Sequence, residues 1–451
     1  MIMGDSQGMC IFQSVNVSAT KRLVFFPKSL STLLSVIGVV TLISMNVNSI
    51  FAQAAVETDW PQWRGANRDD VSLEDGLLKE WPEGGPTKLW TNRDGGLGYA
   101  GFAVVGDRLY TMGATDDNQF ALCLNVSDGS EVWRKSIDSQ FNNRWGDGPR
   151  NTPSIDGDNA YFLSASGTLA CLNAADGSEK WSVSLTEDFG GKTPYWGYSE
   201  SPFVDDDKIL CTPGGSEGAI VALDKLTGKV VWRTRSVTSA CHYSSIVSAE
   251  IDGKKQYIQL FEKSLIGVEA ETGVLLWEEA WRGRTAVIPT PIVDGNKVYV
   301  SSGYGVGSML VDISDPANTS QIWFSNKMKN HHGGVSLKDG HYYGYSDRIG
   351  WACQSADSGE LVWSEKDALG KGAIAYADGC FYLISENEGV VVLIDASSEG
   401  WKEKGRFTLD PQSPNRKPDG RIWVHPVVSN GKLYLRDQEF ISCFDVSDPN
   451  Q

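Results

Sequence analysis

The sequence has eight cysteines but contains no Cys-x-x-Cys motif. This absence argues against the common structural zinc sites and against covalent attachment of a c-type haem. Positive charge is also in short supply, because 57 Asp and Glu residues outnumber 40 Lys and Arg residues and give a net charge of −17. Such an acidic surface repels phosphate backbones, so we expect no nucleic-acid partner.

Long apolar runs are missing as well. The main run, residues 33–43, is interrupted by Ser35, Gly38 and Thr41. It is much shorter than the ~20 residues that a membrane-spanning helix needs. The run is therefore a poor candidate for a membrane span.

The same run fits a signal peptide over residues 1–54. Lys21, Arg22 and Lys28 precede it, and Ala52-Gln53-Ala54 offers a small-x-small cleavage site near Ala54. A basic region, a short apolar region and small residues in this order are typical of a secretory leader. No cysteine follows the run where a bacterial lipoprotein would carry its lipid. We therefore expect an exported protein, periplasmic or extracellular, that is soluble and has no lipid anchor.

The rest of the sequence is rich in glycine and tryptophan, and one phrase recurs along it. In its clearest copy, Ala222 is followed by Asp224, then by Gly228, and then by Trp232. Copies of the phrase end at Trp133, Trp181, Trp232, Trp277, Trp323 and Trp363, which are 40 to 51 residues apart. This period matches the roughly 40–50 residues of a four-stranded propeller blade.

The two ends of the repeat predict a closed ring. The last unit, residues 421–446, has no terminal tryptophan strand, whereas an isolated strand around Trp90 lies at the other end. Pairing the two would complete an eighth blade and remove the exposed sheet edges. We therefore predict an all-β, eight-bladed propeller of four-stranded antiparallel blades over residues 86–446. Residues 55–85 are expected to pack on the propeller, and residues 447–451 form a tail.

A ring of basic and aromatic residues is predicted at one mouth of the central channel. Several first strands open with Thr-Pro or Ser-Pro, and alignment on these pairs brings five residues to one repeat position or face: Arg150, His242, His332, Lys371 and Trp423. Alternate side chains of a strand share a face, so these should surround the channel together. The complete set predicted to bind a ligand is Arg150, Tyr198, Glu200, His242, His331, His332, Lys371, Trp423 and His425.

Such a mouth would attract a small anion or a ligand that carries a carboxylate. The alternative is that these side chains bond to one another across the channel and close it. Three of the histidines, His242, His332 and His425, could approach a metal ion. They belong to blades that are not adjacent, so we predict no metal site.

The recurring phrase, as in Ala222 to Trp232, resembles the tryptophan-docking repeat of propellers of the pyrroloquinoline-quinone-like (PQQ-like) family. The resemblance extends over the chain from about Trp60 onward. It implies the fold more specifically than the function. The family includes quinoprotein dehydrogenases and the BamB-type lipoproteins that assist the assembly of outer-membrane barrels.

The resemblance to quinoprotein dehydrogenases implies one alternative function, the oxidation of alcohols or sugars with PQQ and Ca²⁺ as cofactors. Those enzymes hold PQQ between a tryptophan and two adjacent, disulfide-linked cysteines, and they bind Ca²⁺ through Glu, Asn and Asp. This sequence has no adjacent cysteines and no haem motif. A general base would need a buried carboxyl group with a raised pKa, and Glu200 is the one candidate for that catalytic role.

We favour a binding function over an enzyme. We expect an exported, monomeric propeller that acts as a scaffold for a small anionic ligand or an exported partner protein, and we predict no cofactor for this function. It departs from the BamB type because the lipid-acceptor cysteine is missing. A carbohydrate-active propeller is the second alternative, but it would need two carboxylates that face each other across the channel. The aligned first strands offer no such pair.

Two further features leave alternatives open. The segment Trp60-Pro61-Gln62-Trp63-Arg64-Gly65 is expected either to plug one face of the ring or to dock a partner. Four cysteines take the small position of the repeat and should be buried apolar residues: Cys123, Cys171, Cys353 and Cys443. Outside that position lie the three candidates for disulfide or redox chemistry, Cys211, Cys241 and Cys380.

Overall fold

A computed structural model of the chain describes residues 58–450. The predicted signal peptide lies outside the described residues. Within them, the chain folds into 33 strands and no helix. Accordingly, the described part of the chain offers no helix that is long and apolar enough to span a membrane.

Eight antiparallel sheets form a closed ring, which confirms the predicted eight-bladed propeller. The first strands of neighbouring blades contact one another, so they surround the central channel. In blades 1 to 4 the strands, from the channel outward, are Ala103–Val105, Arg108–Ala114, Asn118–Asn125 and Glu131–Ser139; Ser154–Asp156, Asn159–Leu163, Thr168–Asn173 and Glu179–Ser184; Phe203–Asp205, Lys208–Cys211, Val221–Asp224 and Val230–Arg233; Val247–Ile251, Lys254–Leu260, Ser264–Glu269 and Leu275–Ala280. In blades 5 to 8 they are Ile292–Asp294, Lys297–Ser302, Gly307–Asp312 and Ser320–Ser325; Val335–Lys338, His341–Ser346, Gly350–Ser355 and Leu361–Glu365; Gly372–Ala377, Cys380–Ser385, Val390–Asp395 and Glu403–Thr408; Val427–Ser429, Lys432–Asp437, Phe440–Asp445 and Thr87–Asn92.

The ring closes where the sequence predicted it would. Thr87–Asn92, from the start of the propeller, pairs in antiparallel fashion with Phe440–Asp445, from its end. Trp90 then lies opposite Cys443, in the same register that the other blades use. Both ends of the propeller therefore share one sheet, and neither leaves an open sheet edge to which another blade could add.

Within a blade, the tryptophan of the outer strand lies opposite the small residue of the third strand. Trp133 faces Cys123, and Trp232 faces Ala222. A small neighbour leaves room for the flat indole ring. All seven cysteines of the described residues are buried and free, so the structure contains no disulfide between any of them.

Between blades, the same tryptophan packs on the glycine of the next blade's repeat. These glycines all have φ between 69° and 71°, and a Cβ atom on any of them would lie 2.3–2.8 Å from the indole ring: Gly129, Gly177, Gly228, Gly273 and Gly359. The indole Nε1 also donates to a backbone carbonyl of the next blade, as from Trp232 to Ala270 at 2.9 Å. The glycine is thus required by the neighbouring blade as well as by its own turn, which the sequence pattern alone did not indicate.

The segment in front of the ring, residues 58–81 (the strap), lies across the central channel. Trp60 forms an antiparallel bridge with Val104 of blade 1. Val71–Ser72 pairs in parallel with Gly372–Ala377 and adds a fifth strand to the channel edge of blade 7. Backbone pairing ties the strap to blades 1 and 7, and Arg64 and Arg68 donate to backbone oxygens of blades 5, 6 and 3 across the channel.

Two arginines of the strap are buried in the channel. Arg64 forms an ion pair with Asp70 at 2.7 Å, and both side chains are almost fully buried. Arg68 donates to the backbone oxygens of Ser201 and Pro202, at 3.0 and 3.2 Å. A buried guanidinium without such partners would be strongly destabilising. The Arg68 contacts therefore tie the strap to blade 3, and the ion pair ties two side chains of the strap to each other.

The role of the inter-blade glycine can be tested within blade 4. Gly273 and Gly253 have nearly equal φ values of 69° and 73°, but only at Gly273 would a Cβ atom meet an indole ring, that of Trp232 at 2.3 Å. We expect Gly253→Ala to lower the free energy of unfolding by about 1 kcal/mol because of left-handed strain. Gly273→Ala should lower it by a further 1–3 kcal/mol, about the cost of overpacking. Denaturant unfolding curves of the two variants measure the difference, and equal losses would contradict the proposed packing role.

Candidate functional site

A cavity of about 370 Å³ lies at one mouth of the central channel. Much of its wall comes from the segments that lead into the first strands of blades 1, 2, 3, 4 and 8, each of which contributes one aromatic residue: Tyr99, Trp145, Trp196, Tyr243 and Trp423. The strap contributes Trp63 and Arg64. Because the strap lies across the channel, it closes the cavity on its inner side. A concave aromatic cavity of this volume has the size and character of a small-molecule site.

Five of the nine predicted site residues line this cavity: Arg150, His331, His332, Trp423 and His425. They come from the approaches to blades 2, 6 and 8. Of the five residues aligned on the first strands, Arg150, His332 and Trp423 line the cavity, and His242 and Lys371 do not. The aromatic residues from blades 1 to 4 were not predicted. An aromatic residue in the segment before each first strand is the signal that would have found them.

The other four predicted residues lie outside the cavity lining. Tyr198 is fully buried and donates to the Pro213 backbone oxygen at 3.2 Å. Glu200 is also fully buried, and its carboxylate oxygen accepts a hydrogen bond from the Thr212 N–H at 2.9 Å. Tyr198 and Glu200 are respectively two and four residues closer to the first strand of blade 3 than the cavity residue Trp196. At that point of the chain both side chains are enclosed by the protein, and Tyr198 lies in the apolar cluster that blades 2 and 3 share.

His242 and Lys371 lie near the mouth but behind the wall. His242 Nε2 is 3.5 Å from the carboxylate of Glu262, and burial lowers the pKa of His242. Lys371 donates from Nζ to Nδ1 of His331 at 2.8 Å. Lys371 thus reaches the cavity through His331.

Glu386 holds two of the cavity's rings in place, although sequence reasoning missed it. Its Oε2 atom is 2.8 Å from His332 Nε2 and accepts a hydrogen bond from Trp423 Nε1 at 3.0 Å. Burial acts to raise the pKa of Glu386, but the hydrogen bonds from His332 and Trp423 and the positive charge of Lys371 bring it below its ordinary value. Burial likewise lowers the pKa of His332 in spite of Glu386. The carboxylate therefore orients a neutral imidazole and an indole from two blades.

Arg150 gives the cavity its positive charge. Its guanidinium donates to the backbone oxygens of Gly146 and Gly148 and lies 5.5 Å from the ring centroid of Tyr99. Burial lowers the pKa of Arg150 to about 10, so the side chain stays charged at neutral pH. Arg150 forms no ion pair with any carboxylate of the described residues, and the lining contains no Asp or Glu. The nearest carboxylate that acts on Arg150 is Asp147, which forms its own ion pair with Lys417 at 2.9 Å, so the lining presents a cation without a carboxylate in direct contact.

The residues present do not fit the PQQ and Ca²⁺ arrangement of quinoprotein dehydrogenases. The cavity lining contains no cysteine, so the pair that covers one face of PQQ has no counterpart there. It contains no Asp, Glu or Asn to act as a Ca²⁺ ligand. Across residues 58–450, no group of three His, Cys, Asp or Glu residues is placed to hold a metal ion.

The fold and the site define an eight-bladed propeller of the PQQ-like class, with a ligand-sized cavity at its mouth. The sequence model of the family described as outer membrane protein assembly factor BamB matches residues 123–365, more than half of the chain. The chain therefore belongs to this family. No curated protein sequence matches the chain significantly.

Solved structures share the fold at low sequence identity. BamB from Moraxella catarrhalis is 15% identical with a TM-score of 0.58, over 80% of this chain and 99% of that one. Quinohemoprotein alcohol dehydrogenase from Comamonas testosteroni is 12% identical with a TM-score of 0.58, over 89% and 83%. Sqt1 from Saccharomyces cerevisiae is 10% identical with a TM-score of 0.53, over 83% and 100%. At these identities the similarity shows the fold alone.

Buried Glu200 should give the stability of the protein a measurable pH dependence. Burial raises its pKa from 4.5 to about 8. Between these values the folded protein keeps a proton that the unfolded chain has lost, so the free energy of unfolding falls as the pH rises, by up to about 1.4 kcal/mol per pH unit. Glu200→Gln removes this contribution while keeping an acceptor for the Thr212 N–H. We expect the variant to lose less stability than the wild type from about pH 5 to pH 8, as followed by urea unfolding.

The control is Glu187→Gln, which changes an exposed carboxylate. Its unfolding free energy should follow the wild-type pH profile. If Glu200→Gln also follows that profile, Glu200 does not carry a raised pKa in the folded protein.

Proposed function

We propose that the protein is an exported binding propeller whose channel-mouth cavity holds a small aromatic ligand that carries a carboxylate. The observation that carries this proposal is Arg150, a partly buried guanidinium in the cavity wall that forms no ion pair with a carboxylate of the described residues. A ligand carboxylate would supply the missing anion and accept charge-assisted hydrogen bonds from the guanidinium. Binding would thus relieve an electrostatic cost that the free protein bears.

The aromatic wall supports a planar ligand. Trp423 is held by Glu386 and lies 4.9 Å from the ring of Tyr99 and 5.6 Å from that of His332. Offset and edge-to-face contacts between aromatic rings stabilise a planar group beyond the burial of its surface. The rings are already fixed by hydrogen bonds in the free protein, so little side-chain entropy would be lost on binding.

Other occupants and activities have less support. A carboxylate on a segment of an exported partner protein would satisfy the same site, and the description of the family as an assembly factor is the ground for that alternative. Glycoside hydrolysis would need two carboxyl groups across the cavity, and the lining supplies none. A quinoprotein reaction lacks the cysteine pair and the calcium ligands at this site.

The proposal predicts that the purified full chain binds 2-naphthoate and that it discriminates against 2-naphthamide, which has the same rings without the charge. Arg150→Gln should weaken 2-naphthoate binding by about 10- to 100-fold, as expected for lost hydrogen bonds between charged groups. It should leave 2-naphthamide binding nearly unchanged. Isothermal titration calorimetry measures all four affinities.

Arg144→Gln is the matched control, because Arg144 is exposed, pairs with Asp419 at 2.6 Å and does not line the cavity. Its affinity for 2-naphthoate should equal that of the wild type. Equal binding of the charged and neutral probes, or none at all, would remove the basis of the proposal. In a further experiment, the protein is mixed with PQQ, Ca²⁺, simple alcohols and a dye that accepts electrons. Reduction of the dye with turnover would favour the enzymatic alternative.

A further inference from the structure

A chain of hydrogen bonds runs from the back of the cavity wall to its surface and joins three blades. Asp347 accepts from Lys371 Nζ at 2.8 Å, and Lys371 Nζ donates to His331 Nδ1 at 2.8 Å. His331 Nε2 is 2.8 Å from the hydroxyl oxygen of Tyr304, which lines the cavity. Tyr304 lies in a turn of blade 5 and Asp347 in a turn of blade 6. Lys371 immediately precedes the first strand of blade 7.

The chemistry of this chain assigns every hydrogen in it. A lysine ammonium can only donate, so His331 Nδ1 must be the acceptor. Burial lowers the pKa of His331 to about 2, which keeps the ring neutral and leaves its one hydrogen on Nε2. That N–H therefore donates to the oxygen of Tyr304. The hydroxyl hydrogen of Tyr304 must point elsewhere, and it has no other hydrogen-bond partner among the described residues.

The backbone of Tyr304 is held in an unusual conformation. Its φ is 56°, in the left-handed region, and it lies in a tight turn in which the Val306 N–H donates to the Gly303 backbone oxygen at 3.1 Å. A tyrosine in this region costs about 1–2 kcal/mol. Arg348 and Gln438 have positive φ in the corresponding turns of blades 6 and 8, so this conformation belongs to the turn. The side chain is 37% exposed, so burial of the ring does not account for the strain.

We propose that Tyr304 is a specificity-determining residue of the cavity, and that its hydroxyl donates a hydrogen bond to a carboxylate oxygen of the bound ligand. The chain from Asp347 through Lys371 and His331 acts as the positioning device that keeps the hydroxyl a donor. This inference rests on the proposed function, and it adds to it a second contact for the carboxylate besides Arg150. It predicts selection for ligands with an acceptor oxygen and against those that present only donors.

The binding test compares Tyr304→Phe with Tyr195→Phe by calorimetry with 2-naphthoate. Tyr195 is 64% exposed and does not line the cavity, so its variant should bind like the wild type. Tyr304→Phe should weaken binding by about 10- to 100-fold, the loss expected for one hydrogen bond to a charged group. Lys371→Met keeps the hydroxyl but frees the tautomer of His331, and a smaller loss is expected.

The outcomes separate this inference from the proposed function. Wild-type binding that Tyr304→Phe leaves unchanged would overturn the role of Tyr304 while the cavity remains a ligand site. No binding of 2-naphthoate by the wild type would instead overturn the proposed function, and with it the ligand contact of Tyr304.

The hydrogen-bond chain itself has a readout that needs no ligand. In protein labelled with nitrogen-15 at histidine, the resonances of His331 should show a hydrogen on Nε2 and none on Nδ1, and Lys371→Met should change that pattern. A hydrogen on Nδ1 of His331 in the wild type would show that Tyr304 is not held as a donor.

Discussion

The contact between the tryptophan of one blade and the glycine of the next holds the propeller together, and the channel exists only because these contacts close the ring. Three of the eight interfaces depart from this contact. Trp363 of blade 6 donates to the Ser397 backbone oxygen of blade 7 but has no glycine against its ring. Trp277 donates to Gln256 of its own blade, since the next blade has Ser-Asp-Pro-Ala in place of the glycine turn. At the closure, Phe407 of blade 7 takes the place of tryptophan and packs on Gly85. All three departures preserve an aromatic ring at the interface, which is the constraint that the fold must meet.

Most of the fold was predictable from the sequence because each blade is specified by a short, local sequence pattern. The phrase from Ala222 to Trp232 lies within one hairpin, and its period set the number of blades. The long-range pairing of the strand around Trp90 was also predictable. The last repeat lacked an outer tryptophan strand, and the strand around Trp90 had no repeat of its own.

The site was only partly predictable, for a physical reason. Arg150, His332 and Trp423 occupy corresponding positions before first strands, where the repeat keeps a register that can be aligned. Glu386 and Tyr304 lie in turns between second and third strands, where the blades differ in length and no register is shared. Side-chain chemistry at such turns depends on which neighbouring blade they reach, and a one-dimensional repeat does not contain that information.

The strap closes the central channel below its mouth and so creates the inner wall of the cavity. It carries three non-glycine residues with positive φ, Arg64, Arg68 and Asp70, each costing about 1–2 kcal/mol of backbone strain. The buried ion pair of Arg64 with Asp70 and the bonds from Arg68 to blade 3 offset that strain. As a result, Trp63 and Arg64 form a fixed inner wall for the cavity. In a protein with a net charge of −17, the mouth is then the place where cations face a cavity without carboxylates in its lining.

The central claim is that this cavity binds an aromatic carboxylate, and a crystal structure of the full chain with 2-naphthoate tests it most directly. The account predicts the naphthalene rings between the aromatic side chains of the mouth, with carboxylate oxygens in hydrogen-bonding distance of Arg150 and of the Tyr304 hydroxyl. Density for 2-naphthoate at another surface, or in the cavity with its carboxylate turned toward solvent and away from Arg150, would contradict it.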